Sequence, residues 1–243
     1  MKLIKYTLTL LAFIATAQAT IVISDTAFFL DATTHTSDTD DRTISNFSVA
    51  AGEKLVVTTT MENGNISDIT FNGASLIPIY NTVNNIQRVA TYYLDVTTAT
   101  TANIVADIDG NTHFGFAAYA INGAAMGGPA DFSSSATRLA GDVDTEVGSL
   151  VIGSFTKNSF ASITLNTTST AVYNEDTIGA GGTSGMAAYY FSTTVSTDDY
   201  GFNNSNSRPA AGAVVFNVIP EPSSILLLGV AGLALVVVKR RRK

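Results

Sequence analysis

Short runs of β-branched and aromatic residues recur along the chain, with turn residues between them. Lys54-Leu55-Val56-Val57-Thr58-Thr59-Thr60 is one such run, and Arg88 to Val96 is another. Ala102, Ile104 and Ala106 alternate with Asn103, Val105 and Asp107. Asp109-Gly110-Asn111 then predicts a turn. From His113 to Ile121, Phe114, Phe116, Ala118 and Ala120 share one face, and Gly115, Ala117 and Tyr119 the other. That is the period of two expected of a strand. Leu150 to Phe155, Met186 to Val195 and Ala213 to Val218 continue the series, and no segment sustains a 3.6-residue period. Strands at this spacing predict an all-β protein, an antiparallel β-sandwich of jelly-roll-like type.

The pattern also repeats. Gly52-Glu53-Lys54-Leu55-Val56-Val57 resembles Gly148-Ser149-Leu150-Val151-Ile152, with Leu55 matched to Leu150. Ile69-Thr70-Phe71-Asn72 resembles Ile163-Thr164-Leu165-Asn166, and Tyr92-Tyr93-Leu94 resembles Tyr189-Tyr190-Phe191. The matches fall in the same order, separated by nearly the same length of chain, so the body reads as two quasi-equivalent halves. No Pro- or Ser-rich linker divides them, and the connection near Ala124 to Asp131 is short, which favours one sandwich over two in tandem.

Both ends depart from the strand pattern. Lys2 and Lys5 precede an apolar run from Leu8 to Ala15, followed by Ala17-Gln18-Ala19. Charge, apolar run and small-x-small site in that order predict a signal peptide over 1–19, cut by signal peptidase after Ala19. At the other end, Ile225 to Val238 is apolar apart from glycines and is followed by Lys239, Arg240, Arg241, Arg242 and Lys243. Consecutive cations after an apolar helix act as a cytoplasmic stop. As a helix, Ser223 to Val238 measures about 24 Å at ~1.5 Å per residue, short of a hydrocarbon core of about 30 Å. Such a marginal anchor suits transient attachment. The domains are therefore a signal peptide at 1–19, a β-sandwich body at 20–218 and a tail with a transmembrane helix at 219–243.

Charge sharpens this division. The whole chain carries a formal net charge of −7. The body keeps only Arg42, Lys54, Arg88, Arg138, Lys157 and Arg208 as cations, while every acid except Glu221 lies within it. So acidic a body repels phosphate backbones and excludes nucleic acid as a partner class. The chain has no Cys, which excludes disulfides, thiolate metal sites and Cys nucleophiles.

Candidate chemistry is sparse. Asp38-Thr39-Asp40-Asp41, Asp107-Ile108-Asp109-Gly110-Asn111 and Asp142-Val143-Asp144-Thr145-Glu146 offer alternating carboxylates of the kind calcium uses. None has the full calcium loop, and Asp and Asn favour turns on their own account, so turns are the expectation and no metal ligand is assigned. The two histidines are His35, in a polar loop, and His113, on a strand. Gly181-Gly182-Thr183-Ser184-Gly185 reads as a flexible loop without nucleophile-elbow spacing. No catalytic or cofactor-binding residue is singled out, and the expectation is a protein that is not an enzyme. Thr58-Thr59-Thr60, Thr97-Thr98 and Thr100-Thr101 offer a flat hydroxyl-and-methyl face of the kind ice-binding surfaces use, although Thr also suits ordinary exposed strands. Tyr80, Tyr93, Tyr173 and Tyr200 are candidate glycan platforms in a chain that lacks Trp.

Two resemblances add to this. Ile219-Pro220-Glu221-Pro222-Ser223-Ser224, the apolar run and the basic end together resemble the PEP-CTERM sorting signal, also described as an ice-binding-protein C-terminal segment. The resemblance implies recognition by an exosortase, a membrane-embedded enzyme, and cleavage near Pro220-Glu221-Pro222. Pro220 and Pro222 fix φ and keep the residues before them extended, a backbone that a protease-like cleft binds. The body resembles, loosely, a β-sandwich module of bacterial surface proteins, through Ile69-Thr70-Phe71-Asn72-Gly73-Ala74-Ser75-Leu76, Tyr92-Tyr93-Leu94 and Ala120-Ile121-Asn122-Gly123. The expectation is an exported envelope or extracellular-matrix protein, held at the membrane at least transiently and associated with exopolysaccharide or biofilm. A carbohydrate-binding module, a hydrolase on a sandwich scaffold and an ice-binding protein remain as alternatives.

Overall fold

The computed structural model describes residues 20–31, 42–109, 113–130, 138–158, 163–165, 169–178, 183–203 and 209–219. Ile21–Asn217 forms one compact unit. Its strands are β1 (Val22–Leu30), β2 (Arg42–Val49), β3 (Lys54–Glu62), β4 (Asn65–Phe71), β5 (Ala74–Ser75), β6 (Ile77–Asn84), β7 (Gln87–Asp95), β8 (Thr100–Asp109) and β9 (His113–Asn122). There follow β10 (Ala124–Ala130), β11 (Arg138–Thr145), β12 (Leu150–Asn158), β13 (Thr164–Leu165), β14 (Thr170–Ile178), β15 (Thr183–Phe191), β16 (Ser196–Asn203) and β17 (Ala210–Val218).

The strands form four sheets, ordered β1-β9-β3-β7-β6, β2-β8-β4-β5, β10-β17-β12-β15-β14 and β11-β16-β13. Apart from the β4–β5, β6–β7 and β14–β15 hairpins, successive strands cross between the two sheets of their half, as in the wrap of a jelly roll. The second half repeats the first: β10, β17, β12, β15 and β14 take the places of β1, β9, β3, β7 and β6.

Each half closes its own core. In the first, Leu55, Val57 and Met61 from β3, Ala90 and Tyr92 from β7, and Phe114, Phe116, Ala118 and Ala120 from β9 pack against Ile44, Phe47, Ile69, Phe71, Ile104 and Ile108 of the smaller sheet. The face anticipated for Phe114 to Ala120 is thus the inner face of this sandwich. In the second, Val151, Phe155, Met186, Ala188, Ala211, Ala213 and Val215 form a separate cluster with Ile163. The single sandwich expected from the missing linker is therefore two, stacked through their larger sheets. The connection is shorter than expected: Gly123, at φ 74°, is the only residue between β9 and β10. Alternation between sheets gives each half two inner faces, so a short connection does not force a shared core. The segment 124–130, read as that connection, is an edge strand, the place in a sheet where Pro is tolerated.

The duplication reaches the turns. Gly52 and Gly148 hold φ of 86° and 85°, a conformation a side chain would strain. Gly52 N–H donates to Val96 O and Gly148 N–H to Ser192 O, both at 2.8 Å. The ladders align Lys54 with Leu150, because Lys54 pairs with Asp95 as Leu150 pairs with Phe191. The counterpart of Leu55 is therefore Val151 and not Leu150, and the counterpart of Tyr92 is Ala188 and not Tyr189. The repeat read from the sequence is real, but two of its matches slip by one residue, which exchanges one strand face for the other. Val195 lies outside β15, in the turn before β16.

A buried ion pair closes the end of β1. Asp31 and Arg42 are 3% and 2% exposed, with Arg42 Nε donating to Asp31 Oδ2 at 3.1 Å.

Candidate functional site

The faces of the two larger sheets that do not serve the cores meet in a seam rich in hydroxyls. On β3, Thr58, Thr60 and Glu62 alternate with the core residues Val57 and Met61 and so point away from the first sandwich. Across the seam stand Ser154 and Thr156 of β12, Thr183 of β15 and Tyr173 of β14, all buried.

Most cross-seam bonds join one half to the other. Thr60 Oγ1 and Tyr173 Oη share a hydrogen bond at 2.8 Å, and Tyr80 Oη and Ser154 Oγ share one at 3.3 Å. Thr156 Oγ1 donates to Gln87 Oε1 at 2.7 Å, and Thr183 Oγ1 donates to Glu62 Oε2. Asn84 Nδ2 donates to Pro209 O at 2.7 Å. The Tyr119 and Tyr189 rings meet edge to face with centroids 6.2 Å apart. Two glycines leave room for the tyrosines. A Cβ on Gly212 would overlap the Tyr80 ring, and one on Gly115 would lie 3.3 Å from Tyr173 Oη.

Burial sets the electrostatics. It pushes the Tyr80 phenol up to about 12, with the Ser154 hydrogen bond pulling weakly back. Burial also raises Tyr173 and Tyr119 well above the ordinary phenol value, and Thr60 and Thr58 respectively soften the rise. Thr58 Oγ1 and Tyr119 Oη lie outside hydrogen-bonding geometry, and neither has another partner among the described residues. These phenols stay protonated at neutral pH and act as neutral hydrogen-bonding groups. At one end of the seam His113 Nε2 lies 3.9 Å from Glu62 Oε2. The arrangement bonds two sandwiches together and leaves its polar groups facing one another.

The sequence candidates fall as follows. Tyr80 and Tyr173 are seam residues and not glycan platforms, because both rings lie between the sheets. Tyr93 is half-buried, and the Tyr200 side chain lies outside the described ones. Thr58, Thr59 and Thr60 are fully buried, so they form no ice-facing surface. Thr183, Ser184 and Gly185, read as part of a loop, begin β15 and are buried. Asp107 and Asp109 lie on β8, and Asp142 and Asp144 on β11, so these pairs are strand residues and not turns. Ser67 Oγ donates to Asp109 Oδ2 at 2.7 Å. Asp38, Asp40, Asp41 and His35 lie outside the described residues, as do Ala17, Ala19, Pro220, Glu221, Pro222 and Lys239 to Lys243. Sequence reading missed the roles of Glu62, Gln87, Tyr119 and Thr156. The one available signal was polar residues on the outward face of strands whose other face is apolar.

A shallow cleft of about 420 Å³ lies on the first sandwich, lined by Ser24, Asp25, Ser48, Glu53, Thr100 and Thr101 among others. Its groups are partly engaged: Ser48 Oγ and Thr101 Oγ1 share a 2.8 Å bond, and Ala50 N–H donates to Glu53 Oε2 at 2.8 Å.

β17 delivers the chain at Val218 to the segment in which sequence reading found the Pro-Glu-Pro triplet. The family model described as the PEP-CTERM protein-sorting motif matches residues 218–243. The chain ends in a PEP-CTERM sorting motif. That motif implies an exported protein, anchored at the membrane before processing and sorted by an exosortase. Neither a curated protein nor a solved structure matches the chain. Among the described residues no helix is long and apolar enough to cross a membrane. The apolar run of the PEP-CTERM tail lies outside them.

Proposed function

We propose that this is a non-catalytic protein of the cell envelope or extracellular matrix, delivered by an exosortase and associated after delivery with extracellular polysaccharide. The observation that carries the reading is the PEP-CTERM match over residues 218–243. The use of the body's seam polar side chains supports it: Glu62, Tyr80, Gln87, Thr156 and Tyr173 bond one sandwich to the other. An acidic surface resists collapse onto anionic polymers of its own kind and favours a hydrated matrix.

The test is fractionation of the native host with and without its exosortase, joined to intact-mass measurement. The expected result is loss of the tail near Pro220-Glu221-Pro222 and recovery of the body with the polymer fraction. Replacing the triplet by Ala-Ala-Ala leaves the tail attached through Lys243. Mature wild-type protein that still ends at Lys243 overturns the reading.

A second reading, a carbohydrate-binding module, rests on the hydroxyl- and carboxylate-lined cleft at Ser24, Asp25, Ser48 and Thr100. Calorimetric titration with the host's own polysaccharide separates the two. Saturable binding that is lost in a Ser24→Leu variant favours the module, and binding that Ser24→Leu leaves unchanged favours the matrix role.

A further inference from the structure

Several turns and strand ends meet where β17 finishes. Gly148 N–H donates to Ser192 O and Ser192 N–H to Ser149 O, each at 2.8 Å, which ties the β11–β12 turn to the β15–β16 turn. Ser149 Oγ donates to Asn217 Oδ1 at 2.8 Å, which ties the end of β17 to both. Large apolar side chains stand in solvent on this same end. Val195 is 76% exposed, Val147 50% and Phe191 41%. Met126 is also exposed, and the residue after it, Gly127, packs on the Asn217 side chain. Turn tips usually carry Gly, Asn, Asp or Ser, so valines at the tips of two adjacent turns need a reason.

Chain length supplies one. The apolar run of the tail starts at Ile225, so the chain from Asn217 to the run reaches at most about 28 Å at ~3.5 Å per residue. A tail embedded in a bilayer keeps this end of the body near the membrane surface. We propose that this end is a membrane-resting surface: while the tail is attached, Val147, Phe191, Val195 and Met126 enter the headgroup layer of the bilayer. Asp144 and Glu146 stand exposed beside Val147, so the matching headgroups carry no net charge, as in phosphatidylethanolamine. Anionic headgroups repel this rim. The inference rests on the tail reading above.

The full-length chain lacks cysteine, so a single cysteine labels cleanly with an environment-sensitive fluorophore. The sites are Val195→Cys and Val147→Cys on the rim, Val83→Cys beside the far end of β6, and Leu228→Cys in the tail. Each labelled chain is reconstituted into phosphatidylethanolamine–phosphatidylcholine vesicles and quenched with aqueous iodide. The expected result is a blue shift and several-fold weaker quenching at Val195 and Val147 than at Val83. Replacing phosphatidylethanolamine with phosphatidylglycerol restores quenching on the rim. Rim labels quenched as fully as Val83, with Leu228 protected, overturn the resting surface and leave the tail reading intact. A quenched Leu228 overturns the tail reading and this inference together. Rim protection that is indifferent to phosphatidylglycerol overturns the headgroup assignment.

Discussion

Tyr80 and Tyr173 occupy corresponding places in the two halves, and each reaches across the seam into the other half. Both follow a bulge: the β6–β7 register shifts between Pro78 and Tyr80, and the β14–β15 register between Ala171 and Tyr173. Tyr80 stands opposite Thr91, which pairs with Thr58; Tyr173 stands opposite Ala187, which pairs with Ser154. Tyr80 bonds Ser154 and covers Gly212, while Tyr173 bonds Thr60 beside Gly115. The exchange is mutual but offset: the counterpart of Ser154 is Thr58, whereas Tyr173 bonds Thr60, two residues further along β3.

Tyrosine-to-phenylalanine changes in the seam have opposite signs. Tyr173→Phe loses the Thr60 bond and leaves the Thr60 hydroxyl with only its 3.5 Å bond to Gly115 O, which costs about 1 to 2 kcal/mol. Tyr119→Phe removes a buried hydroxyl with no partner among the described residues, and stability rises or holds within about 1 kcal/mol. Urea denaturation of both variants checks this. Equal losses would show that Tyr119 has a partner as good as that of Tyr173.

Gly212 is a steric gate for the seam. An alanine there places its Cβ on the Tyr80 ring, and the ring must move to admit it. The expected loss is about 1 to 3 kcal/mol, the usual range for overpacking. In a Tyr80→Ala background the same substitution becomes nearly neutral, a coupling that a double-mutant cycle reads directly.

Asp31→Ala removes the carboxylate that accepts from Arg42 Nε in this buried pair. Breaking a buried ion pair by removing one partner costs about 3 to 5 kcal/mol. A joint replacement, Asp31→Leu with Arg42→Met, costs much less because both charges leave the buried site together. Thermal melting of the single and double variants tests the order.

High pH dissolves the seam. Tyr80, Tyr119 and Tyr173 hold their protons more tightly when folded than the ordinary phenol value of 10.0 allows. Between that value and the folded value, the unfolded chain binds fewer protons, so stability falls as pH rises. Their contribution is complete below pH 10 and is lost progressively as pH passes through the Tyr80 value of about 12. A urea midpoint that holds to near pH 10 and then drops is expected, with buried tyrosinate absorbance rising only as the chain unfolds. Tyrosinate forming at all positions in a still-folded chain would contradict the buried seam.

Much of the first sandwich was legible because its strands are β-branched and aromatic runs bounded by turn residues. Phe114 to Ala120 carried both the strand and the buried face, since a period of two maps one-to-one onto two faces. β10 was not legible, since Gly127, Gly128 and Pro129 carry turn chemistry and only its edge position makes a strand of them. The repeat was visible, but its register was not. Leu55 and Leu150 match in type and point to opposite sides, and only the ladder with β7 or β15 fixes which residue faces the core.

The sequence by itself determined the strand-rich body, its duplication and the address at residues 218–243, because periodicity and a contiguous motif are local properties of the chain. The tertiary structure alone decided that the halves are two sandwiches and that their outward faces meet. It also turned Thr58, Thr60 and Tyr173 from surface candidates into buried seam residues, and Tyr80 into a half-buried one that bonds across the seam. The reason is physical: an outward strand face reads the same in sequence whether water or a second sheet covers it.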